Sequence, residues 1–151
     1  MNVFILCSYL MLGVQFAPAT LPMDSVRVSA RQVDVNHARR EAQLSGNVRV
    51  GWGEFTLTAQ RVDIEYTEAG TPKKWRAVKD VKVKWRTHLI ESSDLLIEQS
   101  ENQLSFKGPL ILVDGPQRLK AASAVFFLKE KRFVIQQVSG HMNLKQLVSP
   151  K

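Results

Sequence analysis

Phe55-Thr-Leu-Thr-Ala-Gln-Arg-Val-Asp-Ile64 (FTLTAQRVDI) decides the fold of this chain. Leu57 and Ala59 alternate at the period of a strand, and so do Val62 and Ile64. The step from Ala59 to Val62 is odd, however, and an odd step in a strand moves the apolar set to the opposite parity. A bulge or bend at the step returns both pairs to one core. The small side chain of Ala59 suits such a corner, where there is no room for bulk.

The same apolar-x-small-x-x-apolar-x-apolar pattern occurs at Val28, Ala30, Val33, Val35, then at Ile90, Ser92, Leu95, Ile97, and at Leu119, Ala121, Ala124, Phe126. Its spacing of roughly thirty residues marks an internal repeat. Each corner strand is followed by a return strand. In the first and third copies the returns correspond: Leu44, Gly46, Val48, Val50 against Phe106, Gly108, Leu110, Leu112. A glycine inside a strand suggests a bulge or a close backbone approach. The second copy returns through Val81, Val83 and Trp85, with Lys82, Lys84 and Arg86 on the opposite parity; the fourth is expected to return through Val138, Met142 and Leu144. Turn signals separate the runs at Asn36-His37, Gly51-Trp52-Gly53, Ala69-Gly70-Thr71-Pro72, Asn102, Asp114-Gly115-Pro116 and Ser139-Gly140. No window carries a capped helical stripe. The fold class is therefore all-β.

The chain has 151 residues, 21 basic and 14 acidic, for a net charge of +7. That is one domain with a real core, and its apolar content excludes a disordered chain. Residues 1–19 carry no charge, run apolar from Val3 to Val14 and end in Ala17-Pro18-Ala19, the small-x-small form of a signal-peptidase site. A cleaved signal peptide is expected there, with a retained anchor as the alternative. A short segment at 20–25, a β domain at 26–148 and a tail at 149–151 follow. The one cysteine, Cys7, lies in this leader, so the body has no disulfide and no thiolate ligand.

SARQVDV, AQLSGNVRV and FTLTAQRVDI, in that order, resemble the opening of the LptA (OstA-like) family, the periplasmic carriers of lipopolysaccharide export. LKAASAVFFLKEKRF, followed later by LVSPK, resembles the end of the same family, so that the resemblance runs from about Val26 to Val148. It implies a V-shaped, open β-jellyroll of antiparallel strands with an apolar groove for the acyl chains of lipid A, and a place in the periplasm. It also implies LptC-like and LptD-like partners, met through edge strands. Exposed edges of different kinds, meeting head to tail, build an open homo-oligomeric stack rather than a closed dimer. Without the leader's fate, a soluble LptA-like role and an anchored LptC-like role remain alternatives.

An apolar face on splayed sheets is a lipid-sized slot. The candidate lining residues are Val33, Val35, Val48, Phe55, Leu57, Ile64, Val83, Ile97, Phe106, Leu110, Phe126, Phe133 and Met142; each alone also reads as plain sandwich core. Lys82, Lys84 and Arg86 are candidates for contact with phosphates or another anionic surface.

Catalysis finds no support in the residue pattern. His37, His88 and His141 are far apart and belong to no metal motif, so no metal or cofactor is expected. Gly51-Trp-Gly53 lacks the third glycine and the helix of a phosphate loop. The crowd of cations from Lys73 to Arg86, with Trp75 and Trp85 interleaved, resembles a single-strand nucleic-acid surface. The parity of Trp85 with Val81 and Val83 turns that ring into the core instead, and no nucleic-acid partner is expected. A purely structural β module of the envelope is a further alternative.

Overall fold

The structure, a computed structural model of the chain, describes residues 26–141. The predicted leader and tail, Met142 and Leu144 lie outside the described residues. Ten strands follow one another: β1 (Arg27–Ser29), β2 (Gln32–Asn36), β3 (Glu41–Trp52), β4 (Phe55–Tyr66), β5 (Pro72–Trp85), β6 (His88–Glu98), β7 (Gln103–Asp114), β8 (Gln117–Phe127), β9 (Arg132–Gln136) and β10 (Ser139–His141). All pairings are antiparallel, in the order β1-β3-β4-β5-β6-β7-β8-β10, with β2 also on β3 and β9 also on β8; consecutive strands pair from β2 to β9, while β1 joins β3 and β10 joins β8. The sheet does not close on itself. It is an open β-jellyroll, all-β as the periodicity requires.

Every long strand bends in its middle, and the odd step of the repeat is the bend. In the corner strands β4, β6 and β8 the buried residues run Leu57, Ala59, Val62, Ile64, then Ile90, Ser92, Leu95, Ile97, then Leu119, Ala121, Ala124, Phe126. The return strands β3, β5 and β7 keep one parity throughout, as in Val81 and Val83 after Trp75 and Ala77. They therefore carry one more residue across the bend than their neighbours, and the register shifts at Ser45/Val48, Val78/Val81 and Lys107/Leu110. The extra residue is absorbed by left-handed backbone. Gly46 (φ +78°) and Gly108 (φ +85°) supply it in β3 and β7, while β5 uses Lys79 (φ 65°) and Asp80 (φ 53°). Space is also short at the glycines. A Cβ on Gly46 would lie 2.8 Å from the Arg31 side chain, and one on Gly108 would lie 1.9 Å from Ser93 Oγ.

At the corner of β6 the small residue is a serine, and its hydroxyl compensates the broken ladder. Ser92 Oγ lies 2.9 Å from the carbonyl oxygens of both Asp94 and Lys107, and the Asp94 amide donates to it at 3.3 Å. Ser92 is buried, so these bonds satisfy groups that water does not reach.

The bend line divides the sheet into two leaves. Leaf 1 holds β1, β10 and the strand halves that meet at the Gly53, Arg86-Thr87 and Gly115-Pro116 hairpins. Leaf 2 holds β2, β9 and the halves that meet at the 67–71 and 99–102 turns. Their apolar faces turn toward each other and share one core, in which Leu57, Val62, Leu95, Leu104, Phe106 and Leu110 are almost wholly shielded.

The C-terminal part differs from expectation. Ser139-Gly140 is not a turn but part of β10, paired with Lys120 and Leu119. The fourth return strand starts at Arg132, where the chain reverses through Lys131 (φ 49°) directly after Phe127. Phe133 and Ile135 supply its inward residues, opposite Phe126 and Ala124, and Val138 is exposed at the interruption beside Gln137 (φ 53°). Gly51 and Trp52 likewise belong to β3, and the turn itself is Gly53-Glu54.

Candidate functional site

The inward face of leaf 2 consists of two apolar rows that register draws straight across the strands. One runs Val35, Ala42, Ile64, Trp75, Ile97, Leu104, Phe126, Phe133. The other runs Val33, Leu44, Val62, Ala77, Leu95, Phe106, Ala124, Ile135. On leaf 1 the corresponding row is Val28, Val50, Leu57, Val83, Ile90, Leu112, Leu119. The sequence candidates from Val33 to Phe133 all lie on this face, with Val48 and Leu110 at the bend.

They do not share one environment. Val48, Leu57, Ile64, Val83, Ile97, Phe106, Leu110 and Phe126 are buried between the leaves, whereas Phe55 and Phe133 are half-buried. Val33 and Val35 are 56% and 42% exposed, and Val28 is 48% exposed. These three valines continue the apolar face onto the β1–β2 edge, where no described strand covers them. The interior is thus packed, and its apolar face reaches solvent along an edge.

Aromatic rings close the space between the leaves opposite the bend. Trp52 stacks on Phe55 and Phe55 on Trp85, with centroids 5.5 and 5.6 Å apart and nearly parallel planes. Phe126 of leaf 2 meets Phe55 at 6.2 Å and Trp85 at 5.4 Å, and Phe133 leans on Phe126 at 5.6 Å. Each such pair contributes about 0.5–1.5 kcal/mol beyond its area, enough to hold the leaves together and small enough to be exchanged for another apolar occupant. Trp85 is pinned from outside: its indole N–H donates to Glu54 Oε2 at 3.3 Å, an oxygen that also accepts from Arg86 Nε at 2.8 Å. The Arg86 hydrogen bond, more than its charge, holds the Glu54 carboxyl below its ordinary value. The indole N–H groups of Trp52 and Trp75 are buried without a partner. Sequence reasoning left Trp52 and Trp75 out of the lining, although both share the parity of their strands' apolar residues.

The basic row is largely spoken for. Lys82 lies 3.5 Å from Glu91, Arg86 pairs with Glu54, and only Lys84 of the three candidates has no carboxylate partner among the described residues. Trp85 faces inward beneath Phe55, so the charged side offers no indole platform on which a base could stack. His88 Nδ1 sits 3.3 Å from Asp114 Oδ2 and its ring 5.4 Å from Trp85, while His37 lies in the exposed turn after β2. Among the described residues no His, Cys, Asp or Glu cluster could hold a metal ion.

At the two ends of the sheet, β1 with β2 and β9 with β10 each pair on one side only among the described strands. Residues 27–88 match the family described as LptA/(LptD N-terminal domain) LPS transport protein. A solved structure of similar fold is LptH of Pseudomonas aeruginosa, the LptA homologous periplasmic component of the conserved lipopolysaccharide transport device. It superposes with a TM-score of 0.67 at 13% identity, over 88% of this chain and 94% of that one. No curated protein matches the chain. The family match covers the three opening segments that carried the sequence resemblance and ends before LKAASAVFFLKEKRF, and the all-β open fold agrees with it.

Proposed function

We propose that this LptA/OstA-like chain is a periplasmic carrier of lipopolysaccharide, shielding lipid A acyl chains between its leaves on the way from the inner to the outer membrane. The observation that carries the reading is the unbroken apolar face, which runs from the packed interior out to the exposed Val28, Val33 and Val35 of the β1–β2 edge. Acyl chains need apolar surface in a width that can vary, and leaves hinged at one bend line provide it once the aromatic contacts part. The chemistry is carriage rather than catalysis, and no cofactor enters it.

Delivery to the periplasm falls to residues 1–19 as a cleaved signal peptide. The one-sided edge strands fit β-augmentation by LptC-like and LptD-like neighbours and by further copies stacked head to tail.

Site-specific photocrosslinkers at Val35 and Phe126 test the reading in cells that make lipopolysaccharide. Crosslinks to lipopolysaccharide from both positions are expected, with none from Glu65, which is exposed on the outer face of leaf 2. Failure at both inward positions, in a protein of normal stability, sinks the carrier reading.

A further inference from the structure

The outer faces of the two leaves differ in charge, and strands far apart in the chain create the difference. On leaf 1, register sets Arg49, Lys82 and Lys120 in one outward row and Arg27, Lys84 and Arg118 in the next. All six are exposed, and only Lys82 has a carboxylate partner among the described residues. That partner, Glu91, is the one acidic side chain in these two rows. Leaf 2 is the reverse case. Its outward Arg61, Lys74 and Arg76 are paired with Asp63, Glu98 and Asp94, and Asp34, Glu41 and Glu65 add further negative charge.

The middle of the leaf 1 face is aliphatic. Leu89 and Val113 are adjacent in the row between Lys84 and Arg118, and Ile111 lies between Glu91 and Lys120 in the row beside it. All three are half-buried on the outward parity, where a solvated antiparallel face is ordinarily polar. From Arg49 on β3 to Lys120 on β8 the face crosses five strand spacings, or about 24 Å. It is a broad sheet surface with an aliphatic strip and cations on both flanks.

We propose that the outer face of leaf 1 docks on an anionic bilayer surface, with Leu89, Ile111 and Val113 at the headgroup boundary and the six cations on lipid phosphates. Cations flanking apolar side chains is the composition of an interfacial membrane surface. A nucleic acid would ask for outward aromatics on which bases stack, and Trp85 points the other way. The inference is independent of what the interior carries.

Vesicle co-sedimentation of the protein tests it, with vesicles of equal parts phosphatidylglycerol and phosphatidylcholine against phosphatidylcholine alone, both free of lipopolysaccharide. Binding to the anionic vesicles only, weakening with salt, is expected. The triple variant K84Q/R118Q/K120Q should lose about fivefold in partitioning for each charge removed. The control K73Q/K107Q/K129Q removes the same net charge away from this face and should bind like the parent. L89S/V113S should weaken the binding that persists at high salt. Equal losses in both triple variants, no preference for anionic vesicles, or tighter binding to single-stranded DNA than to vesicles at the same salt each overturn the proposal. All these substitutions lie at exposed or half-exposed positions, and unchanged melting temperatures verify that folding is intact.

Discussion

Trp85 on β5 and Phe126 on β8 meet with ring centroids 5.4 Å apart, although one belongs to leaf 1 and the other to leaf 2. Among the described residues no backbone hydrogen bond ties the two leaves together at this end, since each strand pairs only with its neighbours along the sheet. Side-chain packing alone holds the leaves together here, while the continuous strands hold them together at the bend. The molecule is thus built to resist opening at one end far more than at the other.

Truncating the contact should show this. Phe126→Ala removes a buried ring that touches Phe55, Trp85 and Phe133, and a loss of about 3–5 kcal/mol in urea unfolding is expected. Its native state should also bind an environment-sensitive apolar dye that the parent excludes. A variant that is destabilised but takes up no dye would mean that the leaves do not part there.

The bend makes opposite demands on two equivalent positions. Gly108→Ala puts a Cβ at a φ of +85° and 1.9 Å from Ser93 Oγ, so a loss of about 2 kcal/mol or more is expected. Lys79→Gly relieves a lysine at φ 65° and should raise stability by roughly 0.5–1 kcal/mol. Chemical denaturation of both variants measures the contrast; a destabilised Lys79→Gly would contradict this account of the bulge.

Ser92→Ala keeps the corner small but removes the hydroxyl that bonds the Asp94 and Lys107 backbone. A cost of about 1–2 kcal/mol is expected, with faster amide exchange confined to the middle of β6 and β7. Ser93 Oγ still reaches the Lys107 carbonyl at 3.1 Å, which keeps the loss at the lower end of that range.

Acid should loosen Trp85 before the core. The Glu54 carboxyl titrates below its ordinary 4.5 because Arg86 hydrogen-bonds its charged form. A depressed acid stabilises the fold above its unfolded value, and that contribution is lost as pH falls from about 4.5 through the lower folded value. The indole N–H resonance of Trp85 should follow this titration, and Glu54→Gln should remove the dependence. At the alkaline end, burial raises Tyr66 above 10.0, so its contribution to stability is lost as pH rises past that value.

The bend was legible residue by residue. Ala59, Ser92 and Ala121 declared it through an odd step between apolar pairs, and Gly46 and Gly108 marked where the returning strand takes up the extra residue. The β5 bulge carried no such mark, because Lys79 and Asp80 accept left-handed backbone without a glycine. The last return strand was misplaced for a related reason. Lys129-Glu-Lys131 turns the chain without glycine or proline, so the alternation of Phe133 and Ile135 was not assigned to the strand it forms.

The inward parity of the apolar set, the corner in every repeat and the all-β class were determined by the sequence alone, because a strand's period is local and each residue's face follows from its neighbours. Which charges stand together was decided only by the tertiary structure. The cationic run from Lys73 to Arg86 is cut by the bend: Lys74 and Arg76 go to leaf 2 and are neutralised by Glu98 and Asp94, while Lys82 and Lys84 go to leaf 1 and join Arg27, Arg49, Arg118 and Lys120. Cross-strand register sets those distances, and register is a relation between segments that no single stretch of chain contains.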